Sequence, residues 1–306
     1  MDMTLLATQV LNGLQLGLIL FLLAAGLTLV LGILDFINLA HGAFYMLGAF
    51  LVATVSIWSG SFLLGLLAAA VIVGIFGLAV EYGLARTLYH RDHLEQVLAT
   101  FGLLLVVDTA VHYIWGPAAL SVPLPAWLEG FLRFGGITLP AYRVFIVLCG
   151  LVLAAALWFV IARTRLGMVV RASASNRTMA ETLGIDTRLV FAGIFGVGAV
   201  VAGIAGSLVA PISGASIGMG GPVIILAFVI IIIGGLGSIR GAFIAAMLVG
   251  LIDTLGRAYI GNILATVFTQ QVASTAGPAL ASILIYLIMC AVLAFKPEGL
   301  FPPASR

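Results

Sequence analysis

The sequence contains few charged residues. Asp, Glu, Lys and Arg together make up 8% of its 306 residues, whereas a soluble domain averages about 25%. Hydrophobic residues make up 63% of the chain, and the mean hydropathy is +1.29. This composition excludes an ordinary soluble protein, and we predict that the chain lies in a lipid bilayer.

Lysine and cysteine are also scarce. The single lysine is Lys296, and the arginines form no basic stripe with interleaved aromatic residues, which excludes nucleic-acid binding. The two cysteines, Cys149 and Cys290, stand in apolar runs without the spacing of metal ligands. We interpret them as packing residues and predict no metal site.

Several sequence motifs of catalysis are absent. The chain has no G-x-x-x-x-G-K-[ST], no H-E-x-x-H and no C-x-x-C, so it lacks the phosphate loop, zinc pair and redox pair that these motifs provide. We cannot assemble catalytic residues from what remains. The sequence therefore predicts a protein that is not an enzyme and has no ATPase site of its own.

Long apolar runs fill most of the chain. A membrane-spanning helix needs about 20 apolar residues. Because the first run is long and the seventh short, we expect helices that break inside the protein, where irregular backbone is shielded from lipid. The prediction is an all-α polytopic membrane protein: one domain over 1–306, a bundle of about 8–10 transmembrane segments with broken helices. The runs lie at 5–34, 43–58, 62–85, 94–115, 143–162, 189–210, 223–236, 242–260 and 279–295.

Arginine is concentrated in the loop 163–188, which contains five of these residues. Cytoplasmic loops carry an excess of Lys and Arg, and alternate loops along this chain are basic as well: 86–93, 237–241 and the tail with Lys296 and Arg306. The exception among the other loops is 116–142, which contains Arg133. We predict that 163–188 and the C-terminus are cytoplasmic, and the side of the N-terminus stays open because 5–41 is either one span or a broken pair.

The strongest polar feature lies at 32–42, between the first two apolar runs. Asp35, Asn38 and His41 are three residues apart, so that in a helix they would share a face. Burying such a group without a hydrogen-bond partner costs several kcal/mol. One interpretation is a broken helix in which Asn38, His41 and Gly42 face a path through the protein. The other is a short turn at the membrane surface.

A second feature is the glycine-rich segment 234–241. Four of its eight residues are glycine, and each costs a helix about 1 kcal/mol relative to alanine. The backbone is therefore expected to turn here. Interrupted apolar segments indicate a translocation path, for which the candidates are Gly234, Gly235, Gly237 and Ser238; two ordinary loops are the alternative.

The arginine-rich loop contains a pattern for a short helix. Thr178 and Glu181 have the spacing of a capping box, and Gly184 is a stop signal. Asp186 or Thr187 can then cap the next transmembrane helix. The short helix is either a solvated linker or a docking surface for a cytoplasmic protein.

Two pairs of ionisable residues stand four apart in apolar runs: Asp108 with His112, and Asp253 with Arg257. Residues at this spacing are neighbours on a helix surface. We predict that each pair serves to neutralise its own charges.

Four blocks of this sequence form a recognisable set: Gly26 to Leu29 with Asn38 to Ala43, Arg165 to Gly167 with Arg171 and Ala172, Ala180 to Ile185, and Gly234 to Ala242. They resemble the permease subunits of branched-chain amino acid ABC importers of the LivH type, and the similarity spans most of the chain. The segments Asn38 to Gly42 and Gly234 to Ser238 are specific to that group in combination.

The resemblance implies partners and a location. It implies a multi-pass permease of the bacterial inner membrane, paired with a homologous second permease and with two cytoplasmic ATP-binding subunits. ATP is then bound by those subunits, and this chain holds no cofactor. An external solute-binding protein supplies the substrate, and lipid surrounds the bundle.

The resemblance also assigns roles to residues. Ala180, Glu181 and Gly184 match the loop that seats against the ATPase in such permeases. The resemblance further implies that the substrate is a branched-chain amino acid or a related small polar solute such as another amino acid, an amide or urea. The alternative function is an ATP-independent secondary transporter or channel, which would typically show inverted repeats and ionisable residues at the midplane; we detect no convincing repeat.

Overall fold

The computed structural model describes residues 3–134, 137–266 and 268–301. Arg306 of the predicted basic tail lies outside these residues. The described chain is almost entirely helical, which confirms the predicted class. Its helices are α1 Met3–Leu34, α2 His41–Ser59, α3 Phe62–Val80, α4 Arg86–Leu88, α5 His93–Trp115, α6 Ala141–Arg163, α7 Arg165–Ser175, α8 Arg177–Thr182, α9 Thr187–Ser213, α10 Gly220–Gly234, α11 Ile239–Leu264 and α12 Gln270–Phe295.

Short elements complete the chain. A π-helical turn, Glu81–Ala85, joins α3 to α4, and a 3₁₀ turn, Ala126–Leu128, precedes a small antiparallel hairpin of β1 Phe131–Phe134 and β2 Ile137–Pro140. The hairpin belongs to the loop between α5 and α6 and was not predicted. Because its strands have four residues each, it does not change the fold class.

Within residues 3–134, 137–266 and 268–301, eight helices are long and apolar enough to cross a membrane, a number within the predicted range. Each predicted apolar run corresponds to a helix. The short seventh run is α10, which has 15 residues and is therefore about 22 Å long, less than the hydrocarbon thickness of about 30 Å. The first run is one continuous helix, α1, and the break follows it, so a pair of spans within 5–41 is wrong.

The first helix, α1, is the centre of the bundle. It packs against α6, α9, α10 and α11, and its residues Leu22, Leu23, Ala24 and Ala25 are all 0% exposed. Apolar composition alone does not place α1 there, because α3 is apolar on every side as well; the four helices packed around α1 do. The helices α3, α5, α6 and α12 lie at the periphery, where exposed side chains such as Leu67 and Val106 suit contact with lipid.

Glycine allows α2 and α9 to approach closely. A Cβ on Gly48 would lie 2.0 Å from the carbonyl oxygen of Gly203, and one on Gly206 would lie 1.8 Å from the carbonyl oxygen of Tyr45. Ser207 adds a hydrogen bond of 2.9 Å to the Gly48 carbonyl. Small residues at contact spacing therefore serve helix packing here, as membrane helices require.

The arginine-bearing segments meet at one end of the bundle. Asp35, just after α1, faces His93 at 4.0 Å, Arg177 of α8 lies over the ring of Phe191 in α9, and the C-terminal tail bonds to the end of α10. The opposite end includes the contact between Trp115 and Thr54. We call the first the arginine-rich end, formed by 86–93, 163–188, 237–241 and 296–301.

Candidate functional site

The chain between α1 and α2 re-enters the protein as irregular backbone. Asp35 has a φ of 52° and an exposed carboxylate, whereas Phe36 and Asn38 are both 0% exposed. A non-glycine residue in the left-handed region marks a sharp turn. Asp35 thus turns the chain at the arginine-rich end and sends the following residues back between the helices.

Two side chains of α5 hold this re-entrant segment. Gln96 Oε1 accepts the N–H of Ile37 at 3.1 Å, and Thr100 Oγ1 accepts the N–H of Leu39 at 3.1 Å. Buried N–H groups need such partners. We did not predict this role; the available signal was a pair of polar residues four apart on a largely apolar helix.

Asn38 and His41 are buried without conventional partners. Both are 0% exposed, and within the described ranges neither the Asn38 amide nor the His41 ring nitrogens make a hydrogen bond of normal geometry, although the ring interacts with the Leu23 backbone. Gly26 and Gly198 make room for the ring, since a Cβ on Gly26 would lie 2.7 Å from His41 Nε2. Each unsatisfied polar group costs about 1–3 kcal/mol.

Gly42 lies against the first turn of α10. A Cβ on Gly42 would lie 2.5 Å from the carbonyl oxygen of Gly220. Gly42 therefore allows the start of α2 to touch the start of α10, deep in the bundle. Its observed role is close packing.

The glycine-rich segment turns as predicted. Gly235 and Gly237 have φ values of 103° and 81°, which residues other than glycine rarely adopt. Gly234 packs on Gly241, where a Cβ would lie 2.0 Å from the Gly234 carbonyl oxygen. Ser238 caps α11 by accepting the N–H of Gly241 at 3.1 Å.

The C-terminal tail closes this turn. The N–H groups of Leu300 and Phe301 donate to the carbonyls of Ile233 and Gly234 at 2.8 and 3.0 Å. Carbonyls at a helix end lack partners inside the helix. The tail therefore supplies them and fixes the end of α10.

A cavity of about 900 Å³ opens at the arginine-rich end. Gly237 and Ser238 line it, together with Gly32, Arg171 and Arg240. Its walls come from α1, α6, α7, the turn before α11 and the tail.

The predicted path residues thus form two groups. Asn38, His41 and Gly42 are inside the bundle, and the group from Gly234 to Ser238 is at its arginine-rich end. The helix α1 connects them, because Gly26 contacts His41 and Gly32 contacts Gly237; these glycines are six residues, or about 9 Å, apart along the helix.

The loop between α6 and α9, residues 164–186, contains the two short helices α7 and α8, each with a capping residue. We call this loop the elbow. Thr164 caps α7, and Asn176 caps α8 by accepting the N–H of Met179 at 2.9 Å. The predicted capping box at Thr178 is wrong by two residues, because the Asn176 side chain takes that role. The predicted cap of α9 is Asp186, which accepts the N–H of Arg188 at 3.0 Å.

Gly184 ends the short helix, as predicted. Its φ is 84°, and its N–H and that of Ile185 donate to the carbonyls of Glu181 and Ala180 at 3.0 Å each. These bonds satisfy the last carbonyls of the helix. Ala180 is buried beneath the turn, whereas a Cβ on Gly184 would meet open space.

Glu181 ties the elbow to α9. Its Oε1 accepts from Thr187 Oγ1 at 2.5 Å and from Arg177 Nε at 3.1 Å. These hydrogen bonds lower the pKa of Glu181, and the bond from Thr187 has the largest effect. The carboxylate therefore stays ionised and keeps α8 fixed to the first residue of a membrane-spanning helix.

One spacing found in hydrolases does occur. Gly214, Ser216 and Gly218 fit G-x-S-x-G, which forms a nucleophile elbow where a strand turns into a helix. Here the segment follows the helix α9, and Ala215 bridges to Leu120, so the required context is missing. The described residues also contain no group of three His, Cys, Asp or Glu side chains arranged to hold a metal.

Comparison with known proteins decides the family. The family model described as a branched-chain amino acid transport system permease component matches residues 9–293. The chain belongs to this family. The permease is thus a multi-pass membrane protein and a transport subunit, as the fold and the four sequence blocks predicted.

Curated relatives agree with this assignment. The permease is 29% identical to the high-affinity branched-chain amino acid transport system permease protein BraD of Pseudomonas aeruginosa, over 95% of this chain and 94% of that protein. It is 29% identical to LivH of Escherichia coli, over 83% and 87%, and 27% identical to a probable LivH of Methanocaldococcus jannaschii, over 92% and 88%. No solved structure matches the chain.

Proposed function

We propose that this permease is the membrane-embedded subunit of an ATP-driven importer for branched-chain amino acids or closely related amino acids. The observation that carries the proposal is the family match, which covers nearly the whole chain. Relatives named for high-affinity branched-chain amino acid transport, similar along most of their length, support the substrate class.

The partners follow from this assignment. The permease pairs with a homologous second permease in the bacterial inner membrane, receives its substrate from an external solute-binding protein, and is driven by two cytoplasmic subunits that bind ATP. The arginine-rich end, with the C-terminus, faces the cytoplasm. Support for this orientation is that the basic loops meet at one end, as the excess of arginine inside predicts.

The elbow transmits the work of ATP hydrolysis. Ala180, Glu181 and Gly184 lie in α8 and the turn that follows it, at the arginine-rich end. A partner that moves α8 also moves α9, because Glu181 bonds Thr187 at the start of that helix. Exposed Met179 and Leu183, 57% and 75% accessible, suit contact with another protein.

The path runs beside α10. This helix extends from the contact between Gly42 and Gly220 to the turn formed by Gly234, Gly235, Gly237 and Ser238. Gly237 and Ser238 of that turn line the cavity at the arginine-rich end. In this arrangement Asn38 and His41 are closed off by packing. The Asn38 amide and the His41 ring become hydrated, or contact the substrate, when the helices around α10 separate.

The proposal is tested by reconstituting the permease with its partner subunits in liposomes. We expect uptake of radiolabelled L-leucine that requires both ATP and the solute-binding protein. Uptake that continues without ATP would favour a secondary transporter or channel instead. A complex that hydrolyses ATP without any stimulation by loaded binding protein would contradict the proposal as well.

A further inference from the structure

A second cavity, of about 520 Å³, lies between α1, α10, α11 and α12. Pro222 is 12 residues before the end of α10, and Asp253 is 14 residues after the start of α11. At about 1.5 Å per residue the cavity is about 18–21 Å from the arginine-rich end. In a hydrocarbon layer about 30 Å thick, it occupies the half that is farther from that end.

Two opposite charges line this cavity side by side. Arg257 Nε lies 2.9 Å from both carboxylate oxygens of Asp253, and Arg257 Nη2 donates to Ser282 Oγ at 3.0 Å. Within the described ranges Nη1 donates no hydrogen bond. A guanidinium has five N–H groups and a carboxylate about four lone-pair positions. Both groups can therefore receive a further partner of opposite charge.

The start of α10 faces the same space. Gly221 and Pro222 belong to its first turn and line the cavity, and a Cβ on Gly221 would meet no atom within 4 Å. The Gly221 N–H already donates to the carbonyl of Gly218 at 3.2 Å, and proline has no N–H. This turn therefore offers the cavity the partial positive charge of a helix N-terminus and not free donors. It adds positive potential to that of Arg257.

The remaining wall is apolar except for Tyr286. Leu16 and Leu20 of α1, Leu226 of α10, Val249 of α11 and Ile285 of α12 line it. An aliphatic side chain that leaves water for this surface is stabilised by the hydrophobic effect. The cavity thus offers two adjacent charges at one side and a hydrocarbon surface at the other.

We propose that this cavity is a binding subsite for the zwitterion of an apolar α-amino acid. Arg257 binds the carboxylate, in the positive potential of the α10 N-terminus; Asp253 binds the ammonium group; and the apolar wall holds the side chain. The inference rests on the proposed function and deepens it. A zwitterion inside a membrane protein needs both of its charges paired, and Asp253 and Arg257 are neighbours, as the two charges on one Cα are.

The test uses the complete complex with Cys149 and Cys290 replaced by alanine. Gly221→Cys is labelled with a membrane-impermeant thiol reagent in each nucleotide state. We expect saturating L-leucine to slow the labelling at least fivefold, whereas 4-methylpentanoate, which lacks the ammonium, and isoamylamine, which lacks the carboxylate, do not. Ser213→Cys, outside the cavity, is the matched control and should show no protection.

Charge variants and a filled cavity extend the test. In the Gly221→Cys background, Arg257→Gln and Asp253→Asn should abolish protection by leucine. Gly221→Leu should abolish leucine uptake although the complex assembles, as copurification of the partner subunits shows. Protection that survives both charge variants, equal protection by the two analogues, or a cysteine that is never labelled would each overturn the subsite.

A parallel measurement separates this inference from the proposed function. The same Gly221→Cys complex is assayed for ATP hydrolysis stimulated by each of a set of L-amino acids. Stimulation of ATP hydrolysis without protection at position 221 overturns the subsite and still supports the importer. Protection by an amino acid without stimulated hydrolysis supports the subsite and contradicts the importer.

Discussion

Gly42 of α2 and Gly220 of α10 meet backbone to backbone. A Cβ on Gly220 would lie 2.3 Å from the Gly42 carbonyl oxygen, and the reverse distance is 2.5 Å. The contact joins the helix that begins with His41 to the short helix that extends from one cavity towards the other. A movement of α10 is therefore transmitted directly to His41.

We expect Gly42→Ala to destabilise the permease by about 1–3 kcal/mol, because an added methyl group forces two backbones apart. The thermal unfolding midpoint of the purified protein should fall, and leucine uptake by the complex should decrease. Gly102→Ala is the control, since a Cβ there meets open space on α5. Equal midpoints for the two variants would refute the importance of this contact.

Removing the partners of the re-entrant segment should also lower stability. Thr100→Val keeps the shape of the side chain but leaves the N–H of Leu39 unpaired, at a cost of about 1–3 kcal/mol. Thr109→Val is the control, because Thr109 is exposed and bonds only within its own helix. Chemical unfolding of both variants measures the difference; a control as damaging as Thr100→Val would argue against a special role.

Gly184→Pro should uncouple transport from ATP hydrolysis while the protein remains in the membrane. Proline fixes φ at about −65° and has no N–H. Gly184, in contrast, has a φ of 84°, and its N–H donates to the carbonyl of Glu181. Gly184→Asn is the control, since asparagine tolerates the left-handed region. Substrate-stimulated ATP hydrolysis in the assembled complex is the measurement. Normal stimulation in the proline variant would exclude a coupling role for the elbow.

The elbow should keep its ion pair in mildly acidic conditions. The pKa of Glu181 is lowered by bonds from Thr187 and Arg177, so the contribution of this carboxylate is present above its ordinary value of about 4.3 and is lost only as the pH falls through the lower folded value. Coupling should therefore be flat from about pH 8 to about pH 5. Glu181→Gln should reduce coupling across that whole interval. A decline between pH 7 and pH 5 that disappears in the glutamine variant would contradict this assignment.

Asn38→Cys and His41→Cys, made without the native cysteines, should react with small aqueous thiol reagents in at least one nucleotide state. The reason is that the unpaired polar groups at these positions are expected to meet water when the path opens. Ala25→Cys, on the buried centre of α1, should stay unreactive. Failure of both positions to react in every state would remove them from the path.

Much of the fold follows from local patterns. Apolar runs of spanning length mark the helices because each helix must satisfy its own backbone in lipid. The turn at Gly235 and Gly237 was also predictable, since positive φ values favour glycine. The short length of α10 was visible as a short run.

Contacts between distant segments were not predictable in this way. The bonds from Gln96 and Thr100 to the segment after α1 join residues about sixty positions apart, and no local pattern contains such a pairing. Asp253 and Arg257 were predicted as a self-contained pair. Their use as one wall of a cavity depends on Ser282 and on the start of α10, which only the packed bundle brings together.

The burial of the central part of α1 has a consequence for biogenesis. Ribosomes make this helix before α9 and α11, which cover two of its faces. Gly13 and Gly17 lie against Leu251 and Met247 of α11, so this side of α1 has no protein partner until α11 is made. We therefore expect a nascent chain halted before α11 to leave that side of α1 uncovered.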